Sequence, residues 1–224
     1  MCPAITYFLL FAISLLHGAE GLHSRQPRSS VKTKFLQNLD DPSGLNKATR
    51  DRTRLVADLI QENPTRAPGS QASFTPLAVG TWRVIYAPHI VTIASLLQGS
   101  FDPVYYMMKP NGEMTSHVRY QFPLIGSGWL SVSGTYSSQD EKQVCRVDFD
   151  KTWVTVNQEK PFPSLEMVPD TPSRALIQTL GKLFFIEAAS VFPVSYLDRD
   201  TIVFDFELLG TRICARKVEP KVKW

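Results

Sequence analysis

Few residues of this 224-residue chain are of types that do chemistry. The body of the chain has two histidines, His89 and His117, and two cysteines, Cys145 and Cys214. A nucleophile needs a base placed beside it, and a zinc-type site needs His, Cys or carboxylate ligands at close spacing. Neither histidine stands at such a spacing from a Cys, a His or an acid, and no nucleophile motif is recognisable. Asp148/Asp150 and Asp198/Asp200 are acid pairs at i, i+2, which share a face on a strand. They read as solvated turn residues before they read as a metal site. The expectation is therefore no catalytic residue, no metal and no cofactor.

Charge points the same way. The net charge of +3 is unevenly placed. Residues 23–54 carry eight bases against three acids, while residues 55–224 carry 16 bases and 17 acids. The near-neutral body offers no basic stripe to neutralise phosphates, which argues against nucleic acid as a partner.

The elements that must position these residues are mostly strands. Pro110-Asn111-Gly112 is an Asn-Gly turn between 103–109 and 113–122, a strong hairpin signal. Further strands read over 128–137, 144–150, 152–157, 194–198, 201–208 and 211–217, and 191–217 alternates most regularly of all. Trp82, Val84 and Tyr86 alternate against Arg83, Ile85 and Ala87 in the opening strand. The apolar side comprises Val118, Tyr120, Phe122, Leu130, Val132, Tyr136, Cys145, Val147, Phe149, Ile202, Phe204, Phe206, Ile213 and Ala215. Opposite lie His117, Arg119, Arg146, Asp148, Asp205, Glu207, Arg212 and Arg216. One dry and one wet face on eight or nine short strands predict a mainly β fold, an antiparallel up-and-down barrel. A sandwich is the alternative. A barrel of this size either fills itself with side chains or holds one small ligand. The interior candidates for ligand contact are Trp82, Tyr120, Phe122, Val132, Tyr136, Phe149, Phe204 and Phe206. Cys145 falls on the inner face and Cys214 on the outer one, so they read as isolated thiols, as in a reducing compartment.

Before the strands, residues 45–63 read as a helix, within a domain starting near 43. Leu55, Val56, Leu59 and Ile60 form its stripe, Ser43 is a candidate cap, and Asn63-Pro64 stops it. Residues 65–76 (TRAPGSQASFTP) read as a linker, 160–172 as a proline-marked loop, and 173–189 as helix or strand. At the N-terminus, ITYFLLFAISLL is an apolar run of 12. Roughly 17–25 such residues are needed to span a bilayer, so it reads as the core of a signal peptide over 1–21. The acid-free, basic and hydroxylated stretch within 22–42 has transit-peptide composition. Together they predict the two-part address of an alga with a secondary plastid, with secretion as the alternative.

Gly80-Thr81-Trp82 at the start of the first strand is a lipocalin-like feature, in which the Trp plugs one end under a cation from the last strand. Arg212 and Arg216 are the expected cations. With LVADLIQENPTRAP, PLAVGTWRVIYAP and FPVSYLDRD in order, residues 45–217 resemble the plastid lipid-associated (fibrillin) family. The motif positions are Gly80, Trp82, Arg83, Tyr86, Tyr196, Leu197, Asp198 and Asp200. After Tyr196-Leu197-Asp198 the chain departs from the family pattern with TIVFDF. The resemblance implies a lipocalin-like barrel preceded by one helix, and a non-enzymatic protein at thylakoids or plastoglobules. It implies binding or partitioning of quinones, carotenoids or fatty acids. A secreted lipocalin-like carrier and an enzyme on a lipid substrate are the other readings.

Overall fold

The alternation becomes eight strands: β1 (Gly80–Tyr86), β2 (Ser100–Met108), β3 (Glu113–Phe122), β4 (Gly126–Gln139), β5 (Val144–Val156), β6 (Val191–Leu197), β7 (Thr201–Phe206) and β8 (Thr211–Val218). In this computed structural model each strand is antiparallel to the next, and β8 pairs back onto β1, so the sheet is a closed meander barrel. Closure leaves no sheet edge running the length of the fold. The structure describes residues 31–39, 50–123, 126–169 and 191–219. The readings of a signal peptide, of the Ser43 cap and of 173–189 lie outside them.

The strands expected at 144–150 and 152–157 are one continuous β5. Its extra residue opposite Ser133 and Gly134 is absorbed as a bulge, which bends a strand without ending it. Gly134 suits that bend, since a Cβ there would meet the Asp148 carbonyl at 2.1 Å. The β2–β3 turn forms where Asn-Gly predicts it: Gly112 has φ +82°, and Asn111 Oδ1 accepts from the Glu113 N–H at 3.1 Å.

Among the described residues four α-helices accompany the barrel: α1 (Val31–Leu39), α2 (Arg50–Gln61), α3 (Gln71–Ala78) and α4 (Pro88–Leu96). α2 lies within the predicted helix and ends just before Asn63-Pro64. α1 falls inside the basic stretch of 22–42, and the compact unit begins at Val31, so the folded domain starts upstream of 43. The linker reading of 65–76 is corrected by α3. Ser70 caps it, its Oγ accepting from the Ser73 N–H at 3.3 Å, and Pro76 lies inside it. Its Pro, Gly and Ser content resembles a linker, but Phe74 and Ala78 are fully buried, and that tertiary contact holds the helix. α4 was not expected. Pro88 starts it at a position where a missing N–H costs nothing.

Two apolar cores result. One lies inside the barrel, with Phe74, Trp82, Val84, Met108, Met114, Tyr136, Cys145, Leu197, Ile202 and Phe204. The other lies outside the wall, where Phe35 of α1 and Val56 and Leu59 of α2 cover Tyr86, Tyr196, Val203 and Cys214. Tyr86 is therefore on the opposite side from Trp82 and Val84, contrary to the alternation. A register shift between Val84 and Tyr86 against β8 turns it out and brings Ala87 in. Its hydroxyl lies 2.8 Å from Thr53 Oγ1 of α2.

Candidate ligand-binding interior

The barrel has a packed floor. Trp82 is fully buried and donates from Nε1 to the Ala78 carbonyl at 2.7 Å, which ties β1 to the end of α3. Phe74 meets Tyr136 and Phe204 edge-on, with centroids 6.1 and 6.3 Å apart. Tyr136 is anchored by its hydroxyl to the Lys109 carbonyl at 2.7 Å. The cation over Trp82 is Lys217, 4.7 Å from the ring centroid, and neither Arg212 nor Arg216. Strand parity explains the correction. Arg212 and Arg216 point outward, Arg212 donating to Asp205 at 3.0 Å, whereas Lys217 shares the inward parity of Ile213 and Ala215. Lys217 also donates to the Leu77 and Val79 carbonyls, both at 2.8 Å, and caps α3. Burial lowers its pKa. Gly80 leaves room for it: a Cβ there would sit 3.1 Å from Lys217 Cε.

Above the floor the wall changes character. Tyr106, Val118, Leu130, Phe149, Val154 and Phe206 point toward the axis yet keep accessible surface. Tyr106, Val118, Phe149 and Phe206 pack against the floor cluster but stay partly accessible, so this part of the inward wall is less closely covered than the surroundings of Trp82. Of the predicted interior residues, Trp82, Tyr136 and Phe204 belong to the floor. Val132 and Phe149 are on the wall, Tyr120 and Phe122 lie toward the other end beside Phe101, and Phe206 meets Phe192 and His89. Sequence reasoning missed Tyr106, although Val104, Tyr106 and Met108 alternate inward along β2. Enclosure by protein pushes its phenol up to about 12.

The Tyr196–Asp200 motif is on the outside. β5 pairs with only Val191–Pro193 of β6, so the remaining edge of β6 lacks a strand neighbour. The Asn63-Pro64-Thr65 exit of α2 takes that place. Asn63 Nδ2 donates to the Ser195 carbonyl at 3.1 Å, and its Oδ1 accepts from the Leu197 N–H at 3.3 Å. Thr65 Oγ1 donates to the Leu197 carbonyl at 2.5 Å. One turn later Asp198 Oδ1 accepts from the N–H groups of Asp200 and Thr201 at 3.0 and 2.8 Å. Its Oδ2 accepts from Tyr196 Oη and Lys32 Nζ, both at 2.6 Å. Lys32 also donates to Asp200. Burial alone would raise the Asp198 carboxyl, but the hydrogen bonds from Lys32 and Tyr196 outweigh it and bring it down to about 2. The motif is a clasp between the β6–β7 turn, α1 and the exit of α2. Asp198 and Asp200 are thus neither loose surface acids nor part of the interior.

His117 is on the outer face, as expected, but that face is not wet here. Residues 157–169 cross it: Trp153 Nε1 donates to the Phe162 carbonyl at 3.0 Å and Trp129 Nε1 to that of Glu159 at 3.3 Å. His117 is buried, with Nδ1 2.8 Å from Ser131 Oγ, and burial lowers its pKa to about 4. His89, beside Thr211 Oγ1 at 2.9 Å, is likewise lowered to about 4 by burial. Both are neutral near pH 7. Cys145 and Cys214 are buried free thiols on opposite faces of the wall. Burial raises Cys145 to about 12, well away from nucleophile chemistry. Among the described residues no group of His, Cys, Asp and Glu is placed to hold a metal ion. An open cleft below the floor, lined by Gly80, Thr81, Asp200, Lys217, Val218 and Glu219, lies outside the barrel.

The fold and this interior define a lipocalin-like barrel with one packed end. No protein-family model matches the chain, and no curated protein matches its sequence.

Proposed function

We propose that the protein binds or partitions small, predominantly apolar molecules in the upper half of its barrel, as a plastid lipid-associated protein at thylakoid or plastoglobule surfaces. The observation that carries this reading is that the inward side chains Val118, Leu130, Phe149, Val154 and Phe206 keep part of their surface accessible. Burying ligand surface there contributes about 25 cal/mol per Å², less the costs of ordering and desolvation. Support for a surface-associated role comes from α4, which starts where β1 ends. Its Ile93 and Leu96, and Leu97 after it, are 44, 54 and 56% exposed. A binding role, without catalysis, accords with the scattering of the two histidines and two thiols over different places in the fold. Purification from the source organism followed by solvent extraction and mass spectrometry should recover a stoichiometric apolar molecule. An empty extract, with no uptake of added apolar fluorophore, would exclude the carrier reading.

The plastid address rests on the sequence of residues 1–42. A fluorescent reporter fused behind residues 1–50 should accumulate in the plastid. Accumulation outside the cell would instead favour the secreted carrier.

A further inference from the structure

Part of the basic N-terminal stretch is built into the fold. α1 lies inside the residues whose composition is that of a transit peptide. Its Phe35 is fully buried, in the cluster formed by Val56 and Leu59 of α2 with Tyr86, Tyr196, Val203 and Cys214 of the wall. Leu36 packs against the same cluster. Lys32 donates to Asp198 at 2.6 Å and also to Asp200. Residues three and four apart share one side of a helix. Lys32, Phe35 and Leu36 therefore hold α1 to the wall from a single face, by charge at one end and by apolar burial along it.

A segment that is discarded cannot also close the wall. Hydrolysis within α1 would remove Lys32, Phe35 or both. Hydrolysis within residues 40–49 would sever α1 from the rest of the chain. Its nine residues are fewer than the roughly 12–15 that keep an isolated helix even marginally formed in water. In either case Val56, Leu59, Tyr86, Tyr196, Val203 and Cys214 lose their cover, and the Asp198 clasp loses its ammonium. An exposed apolar patch of that kind invites aggregation.

We propose that the leader is removed by an endopeptidase acting within residues 22–31 (LHSRQPRSSV), and that α1 marks the limit of what is removed. Water adds across one peptide bond there, leaving a carboxylate on the discarded leader and a new α-amino group ahead of α1. Lys32 serves twice, first as a base of the address and then as the cation that Asp198 and Asp200 hold. This rests on the two-part address read from residues 1–42 and fixes where that address ends.

The test needs only the natural protein, purified from its source organism, with its α-amino group labelled and the N-terminal peptide identified by mass spectrometry. The chain should begin between His23 and Val31. A start at Lys32 or beyond would overturn the proposal and leave the address reading standing. A start at Leu22 or earlier would show that no second cleavage occurs and would remove the two-part address as well. A second readout follows from the two buried thiols, Cys214 beneath α1 and Cys145 inside the barrel. In the full chain, Phe35→Ala should raise the rate at which iodoacetamide alkylates Cys214 by about tenfold or more, since local opening governs access to a buried group. Cys145 should keep its rate, and peptide mapping distinguishes the two. An unchanged rate at Cys214 would show that α1 does not cover the wall, and would overturn the proposal whatever the N-terminus.

Discussion

Trp82→Ala should lower unfolding free energy by about 3–5 kcal/mol, the range for deleting a fully buried aromatic side chain. The loss has three sources. The indole leaves a void between α3 and the barrel, the Ala78 carbonyl loses its donor, and Lys217 loses the ring face beneath its ammonium. Domains of this size are stable by roughly 5–15 kcal/mol, so the variant should unfold at a clearly lower urea midpoint. Trp82→Phe retains most of the packing and should cost about half as much, which keeps the comparison readable if the alanine variant does not fold. A loss below about 1 kcal/mol for Trp82→Ala would mean that the floor does not depend on the plug.

Asp198→Ala should cost about 2–4 kcal/mol, because one carboxylate serves four donors. Lys32→Ala removes one of them and should cost about 1 kcal/mol, as expected for a partly exposed ion pair. The effect has a pH signature. The Asp198 pKa is lowered from 3.8 to about 2 in the fold. The unfolded chain therefore takes up its proton first as pH falls, so the stabilisation is fully present above pH 4 and fades as pH drops through 2. After allowance for solvent screening at this half-open site it amounts to about 1–2 kcal/mol. Asp198→Asn should flatten that part of the stability profile. Affinity of the folded protein for an apolar probe should stay unchanged, since the clasp is outside the barrel. A profile as steep as that of the natural chain would assign the acid limb to other carboxylates.

Much of the wall was legible because most strands have one apolar and one polar face. Ile202, Phe204, Ile213 and Ala215 turn inward as the alternation dictates, and Cys145 and Cys214 separate onto opposite faces. Tyr86 was misplaced because a bulge shifts the period by one residue, and composition does not mark such a slip. α3 was hidden by linker-like residues, since only its contact with the barrel floor holds it. Lys217 was passed over for two arginines that point the wrong way. Asn63 was legible as a helix stop, but its grip on β6 depends on a strand far away in sequence. Which inward side chains stay partly accessible was not legible at all, because periodicity says which way a side chain points and nothing of how closely it is covered.

The pairing of β1 with β8 also bears on how the chain reaches this fold. Every other strand pairing joins neighbours in sequence, but this one joins the two ends of the meander. Its loop-closure cost comes due before its contacts form, so closing the ring is expected to be slow beside hairpin formation. During synthesis β1 emerges long before β8 exists, and its edge stays open until the last strand is made. The apolar interior is therefore enclosed only when β8 docks, so the last strand made is also the one that completes it.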